Sequence, residues 1–227
     1  FSTFHFYSHY CGSAKDPGDL TAAVESMRSH LASKTCNGKS CADIEIGVTE
    51  WNYYSGPSTE WYGRLTMEGA AWCAGVAQDL QYSTADFSNW YGAGWNASFG
   101  IYNGRDGVLS KTYYSLKMVG QVVKNYTKLA ARTDTDTLHV LGAVNDAGTK
   151  GCIMVTERTT TARNFTVGLD GFAGKTLSNI KCYVTDDTRD MAEVTTGFTL
   201  GTDAPSAVTF TKGATRAVWL LTFDIAE

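Results

Sequence analysis

The sequence predicts an α/β unit followed by an all-β unit, and three observations carry that prediction. Strand and helix patterns alternate three times between Phe1 and about Leu129, which is the signature of βαβ units with a parallel sheet and right-handed crossovers. From Arg132 onward the composition changes to Thr, Asp, Gly and Val in short alternating runs, as expected of an antiparallel β-sandwich. The third is the segment Ile44 to Asn52, where β-branched residues run straight into Glu50, flanked by Trp51 and Asn52. Apolar strands of this kind suit a parallel sheet covered by helices, and in barrels built that way the chemistry sits where strands end.

Phe1 to Tyr10 is a β-aromatic run, so the chain opens inside a predicted strand. Asp16-Pro17 starts a helix to about Ser33, with Leu20, Val24, Met27 and Leu31 at helical spacing and Pro17 suited to the first turn. The second strand is Asp43 to Thr49. A helix is expected from Ser58 to about Leu80, where Ser58, Thr59 and Glu60 are start signals and Leu65, Ala70, Cys73, Val76 and Leu80 form the inner stripe. Gln81 to Trp90 is the third strand. After a Gly-rich aromatic loop, Gly107 to Lys124 is again helical. The domain boundary is placed at 129/130, near Ala131 to Asp136. Beyond it, strands are expected at Leu138 to Val144, Cys152 to Thr156, Asn164 to Leu169, Ile180 to Thr185, Ala207 to Phe210 and Ala217 to Phe223.

Composition narrows the function. With a net charge of −4 and no Lys/Arg cluster, a nucleic-acid or anionic-membrane surface is not expected. No apolar stretch is long enough to span a bilayer, and the first residues lack the order of a signal peptide. The six cysteines and the sequons at Asn96, Asn125 and Asn164 together point to a secreted, oxidised glycoprotein, extracellular or cell-wall associated. Cys36 and Cys41 bracket a tight turn and are expected to pair, as are Cys152 and Cys182 on strands of the second domain. Cys11 and Cys73 pair with each other, stay buried as thiols, or bond to another chain; the sequence leaves these open. No cysteine has zinc spacing. Asp186, Asp187 and Asp190 lack the spacing of a calcium loop and are taken as a turn, and no metal or organic cofactor is expected.

Three strand ends present His5-Phe6-Tyr7, Thr49-Glu50-Trp51-Asn52 and Phe87-Ser88-Asn89-Trp90. Together they resemble the last three strands, six to eight, of a clan A glycoside hydrolase barrel, and the family 39 type in particular. Gly100-Ile101-Tyr102-Asn103 and Lys111 to Leu116 are similar to that family's final loop and helix. The resemblance implies the C-terminal portion of a (β/α)8 TIM barrel over residues 1–129 and a β-sandwich over 130–227. It further implies a retaining hydrolase whose nucleophile is Glu50, forming a glycosyl-enzyme intermediate that water hydrolyses. Tyr7 would donate a hydrogen bond to Glu50, with His5 on the same face. Trp90 would floor a carbohydrate subsite, Trp51, Asn52 and Asn89 would shape its rim, and His9 with Tyr10 offers an alternative register for His5 and Tyr7. Trp61 and Trp72 are expected in the core.

A retaining mechanism needs a second carboxylate about 5 to 5.5 Å from the first, and the sequence does not offer one. A barrel needs roughly 250 residues, and three strands do not close one. The expectation is therefore an N-terminal barrel half, from the same precursor or a separate chain, that supplies the acid/base. The alternative is a non-catalytic extracellular structural or carbohydrate-binding glycoprotein with a hydrolase-derived fold.

Overall fold

A computed structural model describes residues 1–10, 13–54, 66–92, 101–102, 107–128, 137–201 and 205–226. The chain divides into two compact units, Phe1–Tyr113 and Tyr114–Glu227.

The first unit is built on a four-stranded sheet ordered β2-β1-β5-β6, where β1 is Ser2–Tyr10, β2 Ser13–Ala14, β5 Ile46–Tyr54 and β6 Phe87–Trp90. β1, β5 and β6 run parallel, whereas β2 folds back antiparallel on the end of β1. Between the long strands lie α1 (Pro17–Ala32) and α2 (Met67–Leu80). Pro17 opens α1 where its missing N–H costs nothing, and the Asp16 N–H donates to Asp19 Oδ2 at 2.8 Å. α2 is capped by Thr66, whose Oγ1 accepts from the Glu68 N–H. The predicted start signals Ser58, Thr59 and Glu60, with Trp61, lie outside the described residues.

Strand Asp43–Thr49 was expected to end at the carboxylate, but β5 continues past Glu50 to Tyr54. α2 is small-residue-rich and buried around nearly its whole circumference, which lets Trp72 lie flat on Phe6 (6.0 Å between ring centroids) and tilt against Tyr53 (5.6 Å). Its indole N–H donates to the Lys15 carbonyl. Arg28 of α1 ties the base of the sheet together, donating to the carbonyls of Ile44 and Thr84 and to Asp86 Oδ2. A two-strand hairpin, β3 (Thr35–Cys36) and β4 (Lys39–Ser40), comes after α1, turning on Asn37 and Gly38, both at positive φ.

The second unit holds most of α3 (Lys111–Asn125) and two antiparallel sheets. Its strands are β7 (Thr127–Lys128), β8 (Leu138–Val144), β9 (Lys150–Glu157), β10 (Arg163–Gly168), β11 (Thr176–Thr185), β12 (Ala192–Val194), β13 (Phe198–Leu200), β14 (Ala207–Lys212) and β15 (Ala217–Ala226). One sheet is ordered β12-β11-β15-β9-β8-β7, the other β10-β14-β13. They share one apolar core, in which Phe165 and Phe210 meet Trp219 (5.6 and 5.5 Å) and Phe172 meets Phe223 edge-on. At its margin Lys212 of β14 and Glu157 of β9 form a buried ion pair at 3.0 Å. The Asp186–Arg189 segment is a turn, with Asp186 Oδ1 accepting from the Thr188 and Arg189 N–H groups.

The disulfide expectations do not hold. Cys36, Cys41, Cys73, Cys152 and Cys182 are all free thiols. Cys152 and Cys182 lie on β9 and β11, which sit on opposite sides of β15, two strand spacings of about 4.8 Å each apart and beyond bridging distance. They also face opposite ways, since Cys182 is registered with Leu221 and Cys152 with the adjacent Thr222. In the hairpin, Cys36 pairs with Lys39, whereas the Cys41 N–H reaches back to Lys34, so Cys36 stays exposed and Cys41 is buried. Cys73 is wholly buried on α2, where desolvation drives its thiol pKa well up against a smaller opposing bond with the Tyr53 backbone. Cys11 lies outside the described residues. No described helix is long and apolar enough to cross a membrane.

Candidate active site

Simple alternation along β5 would place Glu50 with Ile46 and Val48, toward the helices. The register breaks that pattern. Phe4 pairs with Val48, but His5 pairs with Glu50, so Thr49 is an extra residue in the ladder. Such a bulge switches the face taken by the residues beyond it: Trp51 and Tyr53 join the buried helix side, and Glu50 and Asn52 join the face of His5 and Tyr7. The Thr49 hydroxyl spends itself on the Phe4 carbonyl. On the same open face Gly47 sits beneath the ring of Phe87, its partner on β6.

The bulge brings three side chains together. The Tyr7 hydroxyl donates to Glu50 Oε2 at 2.9 Å, and His5 Nδ1 lies 3.1 Å from the same oxygen. Among the described residues no donor reaches Oε1, and the Glu50 side chain is 32% exposed. One oxygen is therefore held and the other presented. Tyr7 is buried, and its phenol pKa is raised well above the ordinary value, first by desolvation and then by the bond to Glu50 and its charge, with Tyr91 adding less. Its ring meets Tyr91 edge-on at 6.3 Å.

The other predicted site residues divide between the buried layer and the surface. Asn52 is fully buried, its Nδ2 donating to the Tyr91 carbonyl at 2.8 Å while its Oδ1 accepts from Tyr53 N–H; it fastens the segment after β6 rather than lining a rim. Trp51, also buried, meets its register partner Trp90 edge-on at 4.8 Å, so Trp90 shares the helix side of the sheet with Trp51 and does not floor a subsite on the face of Glu50. The indole N–H groups of both are buried without a partner among the described residues. Trp90 is half-buried and Asn89 exposed. His9 is registered opposite Tyr54, and its side chain lies outside the described residues. Tyr91 was not singled out by sequence; its one signal was adjacency to Trp90. Asn125 and Asn164 are exposed, while Asn96 and Trp95 lie outside the described residues.

No protein-family model matches this sequence, and no curated protein matches it. Solved structures do. A glucosidase from Croceicoccus marinus superposes with a TM-score of 0.69 at 15% identity, over 99% of this chain and 54% of the other. A GH30 endoxylanase from Clostridium papyrosolvens C71 gives 0.59 at 16% identity, over 98% and 49%. A GH51 α-L-arabinofuranosidase from Thermotoga petrophila RKU-1 gives 0.60 at 13%, over 97% and 52%. The chain has a clan A-like glycoside-hydrolase fold. It spans about half the length of these solved structures, so the likeness speaks to architecture alone.

Proposed function

We propose that this chain is the C-terminal part of a retaining glycoside hydrolase, of the family 39 type, in which Glu50 is the nucleophile. On this reading β1, β5 and β6 are strands six to eight of a (β/α)8 barrel, residues 130–227 are a β-sandwich domain, and an N-terminal half supplies the acid/base. The carrying observation is the asymmetric carboxylate: Tyr7 and His5 both address Oε2, leaving Oε1 unengaged among the described residues. In the first step Oε1 attacks the anomeric carbon as the bond to the leaving oxygen breaks, and the acid of the missing half protonates that oxygen. In the second, water deprotonated by the same group displaces Glu50. The Tyr7 hydroxyl and the neighbouring His5 imidazole fix the orientation of the carboxylate, and the bond from Tyr7 stabilises it as a leaving group.

Within this proposal Asn89 stands on the rim of the sugar subsite, on the face of Glu50. Asn52 acts through Tyr91. Secretion, and glycosylation at Asn96, Asn125 and Asn164, belong to the same proposal. The test is covalent labelling of the completed particle with 2-fluoro glycosides of several sugars, then peptide mass analysis. An adduct on Glu50, absent from Glu50→Gln, is the expected result; a competent particle that never labels there leaves the fold as a binding or structural scaffold.

A further inference from the structure

In the second unit lies a cavity of about 230 Å³ lined by Tyr126, Lys150, Asn179, Lys181, Thr222 and Asp224, with Phe223 between the last two. It opens on the face of the six-stranded sheet turned away from the core, because Thr222 and Asp224 alternate with the core residues Leu221 and Phe223 along β15. The register sets Lys181 beside Thr222 from one side and Lys150 beside Asp224 from the other. A second irregularity shapes it: the β11 ladder breaks between Ser178 and Lys181, with Asn179 at φ 50, a conformation asparagine tolerates better than most residues. That break aims the Asn179 amide so that Nδ2 donates to Asp224 Oδ2 at 2.6 Å. Among the described residues neither lysine forms an ion pair.

The cavity thus offers two unpaired ammonium groups, one oriented carboxylate, a hydroxyl, an amide oxygen and a half-buried tyrosine. We propose that it binds one uronate ring of an acidic saccharide. The sugar carboxylate lies between Lys150 and Lys181, ring hydroxyls donate to Asp224 and Asn179 Oδ1, and the C–H face rests on Tyr126. Asp224 discriminates between ligands. It repels an anion that carries no hydroxyl donors, such as sulfate, but accepts from a uronate that brings both groups. The volume lies below the roughly 300–1,000 Å³ of sites for larger ligands and suits a single ring. This inference requires nothing of Glu50.

The ¹⁵N-labelled 227-residue chain is titrated with methyl β-D-glucuronoside, methyl β-D-glucoside and inorganic sulfate. Expected are saturable shifts at the amides of Asn179, Lys181, Thr222 and Tyr126 with the glucuronoside, at least about tenfold weaker binding of the other two, and weakening by added salt. Lys150→Gln, Lys181→Gln and Asn179→Ala each weaken the glucuronoside. The proposal is overturned if the glucoside or sulfate binds as tightly, if the variants bind unchanged, if no saturable shift is seen, or if the shifts gather around Glu50, an outcome that speaks only for the catalytic reading.

Discussion

Glu50 faces His5 because Thr49 is bulged out of the β5 ladder. The residues before the bulge, Ile46 and Val48, are wholly buried on the helix side, and unbroken alternation would have carried Glu50 there with them. A charge buried in that layer without a partner would be costly. On the open face it meets the Tyr7 hydroxyl, which donates to it, and the His5 imidazole instead.

The donor from Tyr7 makes the first prediction. Tyr7→Phe keeps the ring packed and removes only the hydroxyl. A hydrogen bond to a charged group contributes about 1.5–3 kcal/mol, so labelling of Glu50 by a 2-fluoro glycoside should slow by roughly ten- to a hundredfold. The measurement is the rate of adduct formation in the completed particle, compared with wild type. An unchanged rate would mean that Oε2 needs no donor from Tyr7.

Asp86 sets an acid limb to the stability of the first unit. Its pKa is lowered, chiefly by the Ile46 N–H and then by Arg28. A depressed folded value means a contribution that is complete above the ordinary carboxylate range and lost as pH falls through the folded value. Wild type should therefore exceed Asp86→Asn in urea midpoint at pH 6, and the gap should close below about pH 4. A gap that stays constant into acid would rule out this linkage.

Two glycines lie under cross-strand phenylalanines, and they should respond differently to the same change. A methyl at Gly151 would fall 2.4 Å from the ring of Phe223, which is 3% exposed and locked in the core. A methyl at Gly47 meets Phe87 even closer, at 2.1 Å, but that ring is 37% exposed and can swing away. Gly151→Ala should cost about 1–3 kcal/mol and Gly47→Ala less than about 1. Denaturant midpoints of the two variants decide it, and equal losses would refute the distinction.

The two-unit order of strands and helices was legible because apolar periodicity reports which element a segment becomes. The meeting of His5, Tyr7 and Glu50 was legible in part, since residues two apart on neighbouring strands share a face. The bulge that permits it was not: one extra residue leaves no compositional mark. Cys152 and Cys182 misled for a related reason, because sheet order and facing depend on how β15 inserts between β9 and β11, a long-range fact. Sequence puts the Asn52 side chain on a rim, whereas the need to satisfy the Tyr91 carbonyl claims it.

Thiol accessibility depends on the same placement. Of the described cysteines, Cys36 alone is exposed, so in a Cys11→Ser background native alkylation should modify Cys36 quickly and Cys41, Cys73, Cys152 and Cys182 only after denaturation. The thiols of Cys152 and Cys182 are also pushed up to about 12 by burial, which starves them of reactive thiolate. Peptide mapping after timed iodoacetamide treatment reads this directly. A Cys152–Cys182 linked peptide from non-reduced material would contradict the sheet order.

The largest single loss is expected at Lys212. Its ammonium is buried and fully spent, on Glu157 Oε2 and on the carbonyls of Thr159, Gly213 and Thr215. Glu157 is equally buried and also takes Arg163 and Thr159. Lys212→Met leaves that carboxylate, among the described residues, with Arg163 as the remaining charged partner, and Arg163 is 39% exposed and screened. Removing one member of a buried pair typically costs about 3–5 kcal/mol, whereas apolar replacement of both is often far milder. Lys212→Met should therefore destabilise the second unit by about that much, and Lys212→Met with Glu157→Leu by less. Urea melts monitored by Trp219 fluorescence test the ordering: if the double variant is the weaker, the pair holds β9 to β14 by net attraction and not by the cost of stranding its partner.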